Sequence, residues 1–431
     1  MTLLATALVV VLFALLVTAL LVGGVAAVLT FLVTSVWTLL AGESVPLAYN
    51  LRNLLVRRNT TLAAGGGVAF VVLVLSAALM LAEGVRETMG ASGRRDVAMV
   101  LRKGSDAEMA SGLEIPQLSL VLAAPGVQKD AQGAALGVGE VVVVIAREKI
   151  GASGMSNLMV RGVPANGVAF RPEIRVVEGR PPRPGTDEAM IGARLRGRFA
   201  GVELGKSIEL RKGRNASVVG VFEAAGSSYE SEVWVDVDTL RAAFGREGTV
   251  SSVRVKLESP AAYDGFAAYV EQDKQLGFEA QREVDYYRKQ SQATAELITV
   301  LGNIIAFLFS LAAMIGATIT MYSSVSERQR EIGTLRALGF SRRAILFGFQ
   351  TESLVLALLG GAVGLLGSLG LGAVKISMIN FQTWSELVFR FHATPRVLLL
   401  AVGGAALMGL LGGFLPAVRA ARVSALTAMR E

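Results

Sequence analysis

The chain has 431 residues, 52% of them hydrophobic and only 18% charged, with a mean hydropathy of +0.53, and residues 1–42 carry no charged side chain at all. That excludes a wholly soluble or disordered protein, while the absence of cysteine and the single histidine, His392, exclude a disulfide framework, a cysteine nucleophile and the usual zinc or haem sites. The net charge of +7 does not mark a nucleic-acid binder: Glu83 to Glu296 holds 28 Lys+Arg against 29 Asp+Glu, so the positive excess lies in the apolar regions and their short flanks.

About 20 apolar residues cross a bilayer as a helix. The first qualifying segment is the charge-free run within residues 1–44, read as one long tilted crossing with Met1 outside. A hairpin turning at Gly23–Gly24 is the alternative. After the basic tract Asn53–Arg58, residues 61–83 form the next span and the start of a stalk. A polar region, 84–296, follows and is predicted to be mixed α/β. Three more spans are expected at 297–322, 344–372 and 396–415, separated by a charged segment, 323–343, and a loop, 373–395, with a tail at 416–431. The third span starts early, because residues 282–297 contain no Gly or Pro and continue into the apolar run. A helix from there to Tyr322 would be about 60 Å long. Arg52, Arg57 and Arg58, the arginines between 328 and 343, and Arg419, Arg422 and Arg430 all fall on the side that the crossing count assigns to the cytoplasm. The large polar region then lies outside.

Within that region DVAMVLRK (96–103) and EVVVVIARE (140–148) read as strands, Pro116 opens a short helix, SIELRK and ASVVGVFE read as strand pieces, and 260–273 reads as a helix. GVELGKS (201–207) ends like a phosphate-binding loop, but position 200 is Ala and the motif runs into a strand, so a β-turn is expected. No nucleophile elbow or His-based triad is present. No catalytic residue, metal site or bound cofactor is expected on this chain.

Residues 323–367 carry the most information. Glu327, Arg330 and Glu331 share one helical face, Ile332, Leu335 and Leu338 another, and Gly339 followed by Ser341 reads as a helix stop and a new N-cap. On composition alone this helix either lies on lipid or presents its charges to a soluble partner. Glu352 lies inside the next span, where a carboxylate needs a partner. It is either a contact that moves or a packing residue. Gly360, Gly364, Ser368 and Gly372 form a small-residue stripe that suits close helix packing.

This stretch closely resembles the coupling segment E-R-x-R-E-I-G-x-L-R-A-L-G of the FtsX-like and MacB-like permeases of ABC transporters. The matching positions are Glu327, Arg328, Arg330, Glu331, Ile332, Gly333, Leu335, Arg336, Ala337, Leu338 and Gly339. The resemblance covers residues 48–431. AYNLRNLLVRRNTTLA (48–63) is similar to the family's amphipathic elbow, which would occupy residues 45–60 on the cytoplasmic side, and VVEGRPPRPGTDEAMIGARL and GVFEAAGSSYESEVWVDVDTL look like its extracytoplasmic core domain. PAVRAARVSALTAMRE resembles its C-terminal ending, with Ala425 at the usual proline. Residues 1–44 lie outside the match.

The resemblance implies an α-helical membrane protein of the bacterial cytoplasmic (inner) membrane. It would have four core spans, one extra N-terminal helix and an inserted MacB-like α/β domain outside. It implies a non-catalytic permease subunit without a fused ATPase domain, working as a homodimer or heterodimer. ATP and Mg would be held by a separate cytoplasmic ABC ATPase, whose contact residues would be those of the matched segment. Membrane lipid, a periplasmic adaptor and an outer-membrane duct are further partners of such systems. The implied function is mechanical export or extrusion of a substrate. The alternatives are release of lipoproteins, or signalling to a cell-wall hydrolase as in FtsX itself.

Overall fold

The computed structural model describes residues 22–38, 40, 58–151, 154–272, 277–380 and 383–423. In chain order the helices are α1 (Val22–Thr38), α2 (Arg58–Gly90), α3 (Ile115–Leu122), α4 (Val237–Phe244), α5 (Tyr263–Gln272), α6 (Glu283–Glu327), α7 (Gln329–Ala337), α8 (Arg342–Gly370) and α9 (Pro395–Arg422). The chain divides into two units. One contains Met1–Met80, Ile298–Gly372 and Ala393–Glu431, the other Leu81–Leu297 and Ala373–His392.

The first unit is helical. Among the described residues, α2, α6, α8 and α9 are long and apolar enough to cross a membrane. Small residues set how closely they approach. A Cβ on Gly360 would stand 2.4 Å from the Gly65 carbonyl oxygen, and one on Gly364 2.1 Å from that of Ala69, so α8 lies directly on the backbone of α2. Gly409 and Gly413 admit Ala357 and Ser353 in the same way between α9 and α8. Gly23 and Gly24 are helical rather than a turn, and they face Leu407 and Leu411 of α9.

Helix α9 runs seven residues beyond the predicted end of its span, through Pro416. A proline there removes the hydrogen bond to the carbonyl of Gly412. That carbonyl instead accepts from Thr318 Oγ1 of α6 at 2.9 Å, and the nearby Gly409 carbonyl accepts from Ser353 Oγ at 2.7 Å. The helix therefore continues to Arg422, with Ala417 and Ala420 buried. The start of the expected tail, 416–422, is thus helical.

The second unit is built on a ten-stranded sheet. Its strands are β1 (Val97–Arg102), β3 (Gly137–Glu148), β4 (Met155–Val163), β5 (Arg175–Gly179), β6 (Glu188–Gly192), β7 (Ser207–Arg211), β8 (Arg214–Glu223), β9 (Glu232–Asp236), β11 (Ser252–Lys256) and β12 (Phe278–Arg282). They run in the order β12-β1-β11-β3-β4-β9-β6-β8-β5, with β7 on β8. Only the β4–β9 and β6–β8 pairs are parallel. A two-residue pair, β2 (Leu113–Glu114) with β10 (Thr249–Val250), stands apart. The long β-branched run of β3 is buried because it is central in the sheet, and its Val141, Val143 and Ile145 join one of the unit's two apolar clusters. One cluster gathers Val100, Val253, Phe266 and Phe278, the other Val160, Ile191, Phe199 and Val233. Local signals agree with the elements. Glu114 and Gln117 form a capping box ahead of α3, whose first turn carries Pro116, and Asp236 caps α4, which ends at the left-handed Gly245.

The segment 373–395, expected as a loop, holds a hairpin, β13 (Lys375–Ile379) paired antiparallel with β14 (Glu386–Arg390). Its first strand alternates over only four residues, Lys375 to Met378, and its second, with Leu387, Val388 and Phe389 in a row, does not alternate. Both strands of the pair nonetheless carry β-formers, and Leu387, Val388 and Phe389 are buried within the second unit.

Candidate functional site

Helix α6 persists five residues past the predicted end of its span, because no breaker intervenes before Arg328 and Met321 and Val325 are buried. The charged segment is therefore shorter than expected: a break at Arg328, then the nine residues of α7. Leu338, Gly339 with φ +98° and Phe340 end it, and Ser341 Oγ accepts from the Ala344 amide to start α8. An apolar knot of Met321, Val325, Ile332, Ile345, Phe349, Ala417 and Ala420 fastens α7 to α6, α8 and α9.

Arg328 is the keystone of this knot. Its guanidinium bonds Glu352 at 2.9 Å and Glu331 at 3.2 Å, and lies 4.9 Å from the ring centre of Phe349. Glu352, the carboxylate that the sequence left without a partner, is thus ion-paired and buried. The residues of the resemblance motif divide accordingly. Arg328, Ile332 and Gly333 face inward, Leu335 and Arg336 are half-buried, and Glu327, Arg330, Glu331 and Gly339 are exposed. Arg336 donates to the Phe340 carbonyl at 2.8 Å, which locks the turn. Leu338, with 73% of its surface exposed, is an apolar knob beside the charged face. In the helix-packing stripe, Gly360, Gly364 and Ser368 are buried along α8, whereas Gly372 falls in the short turn Leu371–Ala373 that follows the helix.

The second unit contains a site that no motif announced. Arg161, Arg171 and Arg254 are buried against Glu108, Glu140, Glu232 and Glu283. Arg161 reaches Glu108 at 2.9 Å, Glu140 at 3.0 Å and Glu232 at 2.7 Å, while Arg171 grips Glu140 through two bonds of 2.7 and 2.9 Å. Arg254 binds Glu108 at 2.9 Å, Glu140 at 2.7 Å and Glu283, the first residue of α6, at 2.8 Å. Tyr229 donates to Glu283, Tyr287 to Tyr229, and Trp234 to Glu232. Burial works against ionisation of Glu108 and Glu140, but the surrounding guanidiniums overcome it and hold both carboxyls below their usual range. Burial together with the Glu283 charge pushes the Tyr229 hydroxyl up to about 12. These groups are fixed ions and donors whose chemistry is to hold geometry. The only signal in the sequence is a lone charge placed inside an apolar strand, as in GEVVVV, LMVRGV and SVRVK.

The β13–β14 hairpin is held by a smaller polar site of the same unit. Glu386 accepts from Lys149 at 3.0 Å, from Ser156 at 2.7 Å and from Arg198. Ser231 accepts from the Val388 amide at 3.1 Å. Burial opposes the Glu386 charge, yet hydrogen bonds from Ser156, Ser377, Arg198 and Lys149 bring its carboxyl to about 2. The GKS turn is an exposed turn. Lys206 pairs with Glu203 at 2.8 Å, and the chain enters β7 rather than a helix.

The chain thus carries an α/β domain inserted between the apolar helices α2 and α6, and a short charged helix between α6 and α8. Residues 60–273 match the MacB-like periplasmic core domain and residues 303–425 the FtsX-like permease C-terminal region. A macrolide export ATP-binding/permease protein MacB of Brucella abortus is 38% identical over 136 residues, 32% of this chain and 20% of that protein. The uncharacterized ABC transporter permease YknZ of Bacillus subtilis is 30% identical over 230 residues, 51% of this chain and 55% of that protein. The solved periplasmic region of MacB from Actinobacillus actinomycetemcomitans aligns at 13% identity and a TM-score of 0.34, covering 48% of this chain and 97% of that one. The chain belongs to the FtsX-like, MacB-like family of ABC transporter permeases.

Proposed function

We propose that this chain is a permease subunit that couples ATP hydrolysis on a separate cytoplasmic ATPase to motion of its outer domain, driving export or extrusion of a substrate. In this reading α2, α6, α8 and α9 cross the bacterial inner membrane, α7 faces the cytoplasm and residues 84–296 lie outside. The observation that carries it is the mounting of α7. An exposed face of Glu327, Arg330, Glu331 and Leu338 is fixed to three spanning helices by the apolar knot and the Arg328–Glu352 pair. A helix that only floated on lipid would gain nothing from a buried ionic anchor. Export rather than another kind of work is supported by the MacB relatives.

A second permease chain fits α6. Only 11% of its most apolar stretch is buried, against 33–44% in the other three spans, and Leu301, Ile304, Leu308, Ile315 and Ile319 form an exposed row at helical spacing.

The test is a mild-detergent purification of the Arg330→Glu, Glu331→Arg double variant. The exchange conserves net charge but moves each charge about 100° around α7. The expected result is normal membrane insertion with loss of the co-purifying ATPase. Arg342→Gln, which lies beyond the Gly339 stop, should keep it. Retention by the exchange variant would reject the coupling role.

A further inference from the structure

Helix α1 precedes both family matches, and nothing so far gives it a role. Its contacts are specific. The Trp37 ring lies under the Arg343 guanidinium at 4.4 Å, Phe31 stacks on Phe347 at 5.5 Å, and the Ala27 carbonyl accepts from Gln350 Nε2 at 3.4 Å. As the number rises on α1 it falls on α8, so the two helices are antiparallel. Arg343, Phe347 and Gln350 lie on the face of α8 opposite Ile345, Phe349 and Glu352, at 100° per residue. That second face holds the coupling segment, through the apolar knot and Arg328. The first three or so turns of α8 are therefore clamped between α7 on one side and α1 on the other.

Gln350 makes the seat more than incidental packing. Its amide is fully buried in an apolar helix, and its Oε1 has no hydrogen-bond partner among the described residues. A face built for lipid would not carry an amide, whose burial is costly unless its groups are bonded. Ala27 is likewise fully buried, and Gly24 lets α1 approach Leu407 and Leu411 of α9.

We infer that α1 is a fixed brace for the coupling end of the permease: seated on Arg343, Phe347 and Gln350, it keeps α8 bearing on α7 while the ATPase acts. The proposal rests on the coupling reading given above, so its test includes a readout that needs no ATPase. The chain has no native cysteine, and Leu338→Cys provides a single nitroxide site at the end of the coupling segment. In the full-length chain, Ala27→Trp should force α1 off its seat and raise nitroxide mobility at position 338. It should also lower ATP turnover per bound ATPase by about fivefold without changing the KM for ATP, an effect in the range of residues that modulate coupling without touching a ligand. Adding Gln350→Ala, which makes room for the larger side chain, should restore both. If Ala27→Trp fails to insert, Trp37→Ala carries the same test with a smaller shift. Unchanged nitroxide mobility in the displaced variant would overturn the brace. So would loss of turnover in a chain where Gly24→Cys is disulfide-locked to Leu407→Cys, because a brace does not need to move. Raised mobility in a chain that never captures an ATPase would leave the brace standing and reject the coupling function instead.

Discussion

Two of the buried ionic sites among the described residues are built on opposite plans. In the second unit three arginines and four glutamates are joined through β3, β4, β9, β11 and the start of α6, and Arg161, Arg254, Glu108 and Glu140 each bond two or more ions of opposite charge. In the helical unit Arg328 bonds the buried Glu352 and the exposed Glu331. A network can be rearranged only as a whole, whereas a pair opens in one step. The difference makes the second unit the more rigid of the two and the α7–α8 contact the one more easily opened.

The largest expected effect belongs to the network. Arg254→Met takes a buried guanidinium from Glu108, Glu140 and Glu283 at once and should cost the second unit about 3–5 kcal/mol, measured as lost protease resistance of residues 84–296 in the full chain. A second change such as Glu283→Gln should recover little, since two carboxylates still lack Arg254. Next comes Arg328→Met, expected to cost about 2–3 kcal/mol, because it takes the guanidinium away from the buried Glu352 carboxylate. Here the double variant with Glu352→Gln should recover most of the thermal stability. Full rescue at the first site, or none at the second, would break the comparison.

The smallest effect concerns Glu386. Its folded value of about 2 lies below the ordinary 4.5, so the attachment it gives the hairpin is complete above about pH 4.5 and is lost as pH falls toward 2. Hydrogen exchange of the β14 amides should speed up on acidification beyond the solvent trend, and Glu386→Gln should remove that dependence. An unchanged profile would show that the hairpin is held by its apolar residues alone.

The spans were legible because apolar length and flanking arginines are local properties, and the Gly339–Ser341 joint because stop and cap residues act within one turn. What stayed hidden depends on partners distant in sequence. Pro416 reads as a helix end until Thr318, 94 residues before Gly412, is seen to take that residue's freed carbonyl. Glu140 reads as the solvated start of a strand until Arg161, Arg171 and Arg254 converge on it. Arg328 shows the same limit inside a recognised motif. Its position in the coupling pattern was plain, but only the fold shows that its charge is turned inward to Glu352 rather than outward.

The seam between α2 and α8 has a consequence for how this gene can drift. What a side chain at Gly360 or Gly364 would strike is a backbone carbonyl, at 2.4 and 2.1 Å, and not the end of a flexible group that can swing aside. Glycine to alanine is a single-base change and elsewhere among the mildest in the genetic code. At these two codons the added methyl can be housed only by moving one helix off the other, so neutral variation is closed there, while the lipid-facing Val363 and Leu366 between and beyond them remain free to exchange one apolar residue for another.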